Sequence, residues 1–504
     1  YGDHRDLHLS IRRQRQMCIR DSYKDDPSIE MALFRSAHWP YYGYPRKFVA
    51  KWPGEYRVRF SARAVLQVEN YRVQPASRPV PMTFRARKPS GPDVSGDVRA
   101  TGGVMDVLPE ARVFETTILL RELETFEYSP LGLPVPLARN VDGGAPTYRY
   151  PPFPSGGQPG IAIQWLEVDG PLPPSEWPPA SHRVLFGDLG INPSPARPAA
   201  EARRLLRRFA DRAAHEPVPA SALVKYEQLV QTRLDRGAGF TEAMLAGYKA
   251  FLSSPHFLYL REPENSDDHF SIAARLSHFL TNTRSDEQLR ELARSRTLRD
   301  PANLRRQAER LIAGPGFERF IANFTDYWLN LRYIRRDDPD IRLYPEYRFD
   351  NYLVESMERE TRAFVTAMFR DNLPSRAIVS TDFIYANDRL ASHYGLLPLN
   401  GSAMRKVMLP PQSPLGGLLT QAAILKVTAN GATTSPVIRG AWIMERLIGD
   451  PPPPPPTGVP SVEPDIRGAK TIRQLLTMHT KNATCAGCHE RFDPVGLALE
   501  NFDI

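Results

Sequence analysis

Apolar and polar positions alternate with period two through the first third of the chain, then switch to a period near 3.6 after Phe186. Behind the turn signal Pro53-Gly54, Tyr56, Val58 and Phe60 alternate with Arg57, Arg59 and Ser61. Similar runs fall at 80–87, 112–120 and 160–168. Short alternating runs separated by Pro and Gly, with no long helical window, predict an antiparallel β-sandwich over residues 26–190.

Beyond it the pattern predicts mainly α-helical domains. Residues 199–214, 220–236 and 240–252 read as three amphipathic helices of a small domain over 196–262. A larger helical domain is expected over 268–400. Within it, Ser285-Asp286-Glu287 supplies capping chemistry, Pro301 suits a first helical turn, and Gly314-Pro315-Gly316 stops the helix that follows. Phe317, Phe320, Ile321, Phe324, Trp328 and Leu331 form one wide helical stripe, read as core. Glu355, Glu358 and Glu360 lie close together on the next long helix. A metal or general-base cluster is one reading of them, but the interleaved Arg359 and Arg362 favour a solvated charged face. A last module spans 405–504 and contains six consecutive prolines, 451–456, expected as a polyproline II rod about 19 Å long.

Composition narrows the function classes. Apolar residues make up 41% and charged residues 24% of the 504, enough to bury a core and to exclude global disorder. No run of 18 apolar residues occurs, so no membrane span is expected. The 65 basic and 57 acidic residues are interspersed, which argues against a nucleic-acid partner. Residues 1–22 carry neither apolar periodicity nor a signal-peptide core and read as a non-native segment. Setting them aside removes Cys18 and leaves two of the three cysteines, Cys485 and Cys488, clustered near the end.

Cys485-Ala486-Gly487-Cys488-His489 is the one strong chemical signature. Residues three apart share a helical face, so both thiols can bond the vinyl groups along one haem edge. The next imidazole then serves as proximal iron ligand. A zinc site recruiting His479 is disfavoured because Cys488 and His489 are adjacent, which suits two corners of one tetrahedron poorly. A redox dithiol would need a preceding strand and a helix continuing past the motif, and Pro494 and Gly496 follow closely. His479 or Met478 is the candidate sixth ligand, and five-coordinate iron is the alternative. Leu475, Phe492, Leu497, Leu499 and Phe502 are expected apolar cover for a porphyrin.

With these residues in view, the chain resembles the planctomycete-type cytochrome c proteins. The likeness lies in TSPVIRGAWIMERLIGDPPPPPPTGVP and CAGCHERFDPVGLALENFD, in FSIAARLSHFLTNTRSDEQL and STDFIYANDRLASHYG, and in GFTEAMLAGYKAFLSSPHFLY. It implies helical companion domains of unknown function followed by a cytochrome domain, expected here to be truncated at its C-terminal end. The segment PGEYRVRFSARA is similar to carbohydrate-binding modules. The leading expectation is an exported, periplasmic or otherwise extracytoplasmic, haem c protein that passes electrons to an unspecified redox partner. One alternative is a carbohydrate-binding or carbohydrate-acting surface protein with a polysaccharide partner and an accessory haem. The other is a structural scaffold. No catalytic acid, base or nucleophile is assignable from the sequence.

Overall fold

The computed structural model describes residues 30–34, 48–88, 98–134, 137–139, 147–149, 151–260, 268–336, 339–340, 343–344, 347, 350–429, 431, 435–453, 471–480 and 483–502. The segment 1–22 and prolines 454–456 therefore lie outside the described residues. The chain divides into two compact units. One comprises 1–172, 325–368 and 372–504, and the other 173–324 and 369–371.

The first unit begins with the β-rich region. Its strands are β1 (Met31–Leu33), β2 (Gly54–Gln67), β3 (Val73–Pro75), β4 (Val80–Arg87), β5 (Val98–Val107), β6 (Arg112–Leu120), β7 (Thr125–Pro130), β8 (Leu137–Arg139), β9 (Thr147–Arg149) and β10 (Gln158–Asp169). One sheet runs β1-β10-β2-β3 with β6 also paired to β2. A second runs β5-β4-β7, and β8-β9 form a separate pair. The pairings are antiparallel.

Strand β2 shows why the alternation folds this way. Tyr56, Val58, Phe60, Ala62 and Ala64 are buried in the core. The intervening Arg57, Arg59 and Arg63 pair on the other face with Asp169, with Glu115 and Glu167, and with Glu30. From the facing sheet come Met82, Phe84 and Phe126, with Phe84 packed edge-on against Phe60 at 5.5 Å and against Phe126 at 5.8 Å. At Gly102, φ is +78° and a Cβ would sit 2.9 Å from Ile118, so the irregular register opposite Thr83 and Phe84 depends on glycine.

The second sheet is not half-solvated as a free sandwich sheet would be. Thr83, Arg87, Thr125, Glu127 and Ser129, which alternate with the core residues of β4 and β7, are buried too. Glu127 is ion-paired with Arg85 and Arg87. Among the described strand residues the aromatic rings are buried or half-buried, and the exposed Trp52 and Phe153 lie in loops.

The second unit holds the first helices. These are α1 (Ala180–Phe186), α2 (Pro198–Ala213), α3 (Ala220–Asp235), α4 (Phe240–Leu252), α5 (Pro255–Leu258), α6 (His269–Thr281), α7 (Glu287–Arg294), α8 (Pro301–Ala313) and α9 (Phe317–Trp328), whose last four residues count with the first unit. The apolar stripes of α2, α3 and α4 meet in one core containing Leu205, Phe209, Leu223, Val230, Met244 and Phe251. Asp286 accepts the Leu289 amide at 3.0 Å, and Asp300 accepts those of Ala302 and Asn303 at 2.9 and 3.1 Å. The Asp286 cap falls within the Ser285-Asp286-Glu287 signal, and Asp300 stands directly before the first-turn Pro301.

The first unit resumes with α10 (Asn351–Arg370), whose last two residues count with the second unit, β11 (Phe383–Ala386), α11 (Asp388–His393), β12 (Arg405–Met408), α12 (Ala422–Val427), α13 (Pro436–Ile443), α14 (Ile472–His479) and α15 (Ala483–Leu497). A π-helical turn, Met444–Ile448, extends α13. Asp106 of β5 accepts the Ser402 amide through both carboxylate oxygens, at 2.9 and 3.1 Å. No helix among the described residues is long and apolar enough to cross a membrane.

Candidate functional site

The Cys-X-X-Cys-His run lies within α15, a continuous helix from Ala483 to Leu497. Positions 485, 488 and 489 therefore fall three and four residues apart on one side of the helix, and 492, 493 and 496 continue the same stripe. The side chains of Cys485, Cys488, His479 and Leu475 lie outside the described residues. His489 and the residues around it are described.

The helix does not end at the proline. Pro494 sits inside α15, although Pro494 and Gly496 were expected to stop it soon after the motif. An interior proline forfeits the bond to the Glu490 carbonyl, a loss of about 3 kcal/mol. Packing on both sides of α15 offsets it. Helix α13 crosses α15 so closely that a Cβ on Gly440 would collide with the Phe492 carbonyl and one on Gly496 with the Pro436 carbonyl. The Arg439 side chain, 1% exposed, donates through Nη1 to the carbonyls of Leu499 at 3.3 Å and Phe502 at 3.1 Å, just beyond the helix end. The expected objection to a redox dithiol, a helix stopping short, is thereby removed. The element that precedes the motif is the helix α14, not a strand.

The imidazole of His489 is held from two directions. Its Nδ1 lies 3.1 and 3.0 Å from the two carboxylate oxygens of Asp493, one turn on, and the Asp493 residue is 6% exposed. A carboxylate only accepts, so Nδ1 is the donor in this contact, and in the neutral ring that tautomer leaves the lone pair on Nε2. The ring also contacts Phe492, with centroids 5.2 Å apart and Phe492 buried. Arg491, on the adjoining side of the turn, is ion-paired with Asp450 just after the π-helical turn.

Of the other expected residues, Met478 is exposed at 53%, and Leu497, Leu499 and Phe502 are half-buried. Sequence reasoning missed Asp493, Arg439 and the paired glycines. The His489 to Asp493 spacing of one turn was a readable signal, whereas the depth of Arg439 and the approach of α13 were not.

The three glutamates of α10 require a correction. They do not form a solvated face. Glu360 is fully buried, with Tyr394 Oη donating to Oε2 at 2.5 Å and itself accepting the Ala422 amide at 2.8 Å. Burial pushes the Glu360 carboxyl up to about 8, against the opposing pull of its hydrogen bonds. Glu358 lies 3.5 Å from Arg335 and 3.6 Å from Arg362. Of the interleaved cations, Arg362 pairs with Glu358 and Arg359 donates to the Ser402 carbonyl.

The comparisons with known proteins bear on this geometry. Family models described as "Protein of unknown function (DUF1595)", "(DUF1592)" and "(DUF1588)" match residues 201–262, 268–396 and 415–504. No curated protein matches the sequence. Among solved structures, the chain is similar to the CBM22-1 xylan-binding domain of Paenibacillus barcinonensis Xyn10C. That match has 7% identity and a TM-score of 0.13, over 23% of this chain and 55% of that one, so about half of that domain is spanned. It is also similar to the EclA C-terminal domain, a sugar-binding protein, at 9% identity and a TM-score of 0.15, over 28% of this chain and 76% of that one. Resemblances at these scores carry no weight here. The three consecutive matches, one of which spans the Cys-X-X-Cys-His helix, are to the planctomycete cytochrome c-associated domain models, to which those segments are similar.

Proposed function

We propose that the C-terminal module carries haem c and that the protein is an extracytoplasmic electron carrier. In this reading Cys485 and Cys488 form the two thioethers and His489 Nε2 is the proximal iron ligand. The observation that carries it is the His489–Asp493 pair on the cysteine-bearing side of α15: a carboxylate holding Nδ1 leaves Nε2 as the metal-directed nitrogen. The donor set suits the group, with two thiol positions and one imidazole within a turn and a half of helix.

When bound, the haem supplies a one-electron ferric/ferrous couple. The chain's own residues do the rest. Phe492 packs against the imidazole and restricts its rotation, and the half-buried Leu497, Leu499 and Phe502 are proposed as apolar cover for the porphyrin. Such cover limits water around an iron centre and raises its potential. Met478 or His479 is proposed as sixth ligand.

The test is expression of the full chain with a c-haem maturation system, followed by pyridine haemochrome spectroscopy and intact mass. The expected result is one covalently attached tetrapyrrole, lost in the Cys485→Ala/Cys488→Ala double variant. Unsubstituted protein with free thiols and no added tetrapyrrole mass would overturn the reading.

A further inference from the structure

We infer that Asp493 is a positioning residue for the iron ligand and sets the redox bias of the centre. This deepens the proposed function and rests on it. Asp493 stands one turn after His489, with both carboxylate oxygens within 3.1 Å of Nδ1. The Asp493 residue is 6% exposed and the His489 side chain 16%, so the pair is shielded from water and its geometry is fixed by packing.

Three consequences follow from elementary chemistry. The Nδ1 proton selects one tautomer, so the ring presents only Nε2 as a ligand. Two acceptor oxygens restrict rotation of the ring, and the contact with Phe492 restricts it further. A carboxylate shares the Nδ1 proton more strongly than a neutral carbonyl does, so the imidazole gains anionic character and becomes a stronger donor. A stronger donor favours the ferric over the ferrous state and lowers the reduction potential.

The carboxylate is enclosed, and both of its oxygens lie on the Nδ1 side of the ring. The crossing of α13 at Gly440 and Gly496 holds the backbone on both sides of Asp493, which keeps the acceptor in place.

The test uses the full chain matured with haem c. Potentiometric titration of Asp493→Asn is expected to show a tenfold shift of the couple toward ferrous, about 59 mV upward for one electron. Asp493→Glu is expected to return most of the shift. In the unsubstituted ferric protein, the hyperfine-shifted ring protons of His489 are expected at positions typical of a carboxylate-bonded imidazole. Haem loading with an unmoved potential in Asp493→Asn, or ring-proton shifts of a carbonyl-bonded imidazole in the native chain, would overturn the inference while leaving haem attachment intact. Absence of haem from the native chain would overturn both. Should Asp493→Asn fail to accumulate, the native ring-proton shifts decide alone.

Discussion

Glu360 and His278 are both displaced from ordinary titration by burial, in opposite directions and in different units. The Glu360 carboxyl ordinarily titrates at 4.5 and is pushed up to about 8 in the folded chain. Between those values the unfolded state releases a proton that the folded state keeps, so stability falls as pH rises, by up to about 1.4 kcal/mol per pH unit, and levels off above the folded value. Glu360→Gln keeps an acceptor for Tyr394 and removes the titration. Thermal melts of that variant from about pH 5 to about pH 8 should therefore be flatter than those of the native chain. The His278 imidazole is lowered from 6.5, first by burial and then by His215, whose ring lies 5.0 Å away. Here the unfolded state takes up the proton first as pH falls, so stability is lost on the acid side of 6.5. Replacing His278 with Gln should blunt that acid-side loss of melting temperature, and an unchanged acid limb would show that the pair does not set it.

At the scale of elements, backbone approach and capping are what substitutions would expose. A methyl at Gly496 meets the Pro436 carbonyl, a rigid backbone atom, so α13 and α15 would have to separate. Gly496→Ala should cost about 1–3 kcal/mol in urea unfolding, the range for overpacking, despite the higher helix propensity of alanine. An alanine variant as stable as the native chain would mean that the two helices part without loss. Asp300 is a simpler case, holding two first-turn amides of α8 at 2.9 and 3.1 Å. Asp300→Ala should cost about 1 kcal/mol in the same measurement. The two substitutions also separate kinds of legibility. The Asp300 cap follows from neighbours in sequence, while the Gly496 contact joins residues 60 positions apart.

At the scale of the molecule, the sandwich and the C-terminal helices belong to one compact unit. Asp106 links β5 to the amide of Ser402, 296 residues later, through both carboxylate oxygens. Asp106→Ala leaves that part-buried amide without its acceptor, so a destabilisation of about 1–3 kcal/mol is expected in denaturant unfolding followed by circular dichroism. The buried polar face of β4 and β7 has the same message. Two neighbouring strands whose alternate residues are Thr83 and Arg87, and Glu127 and Ser129, look half-solvated from their polar positions and are enclosed in the fold.

Strand and helix periods were legible along the chain because they arise from backbone geometry and the nearest few residues. Thus β4, β6 and α4 occupy 80–87, 112–120 and 240–252, as their alternation and amphipathic stripes indicate. The Cys-X-X-Cys-His run was legible for the same reason, since its chemistry depends on residues within one helical turn. What local pattern could not supply was depth. Glu360 and Glu358 read as wet because arginines are their neighbours in sequence, but whether a face meets water depends on which distant element covers it. Pro494 read as a helix stop because its local effect is unfavourable, and the close crossing of Gly440 and Gly496 with the Arg439 contacts beyond the helix end outweighs that effect. Burial and helix crossing are properties of pairs far apart in the chain, and they exist only once it has folded.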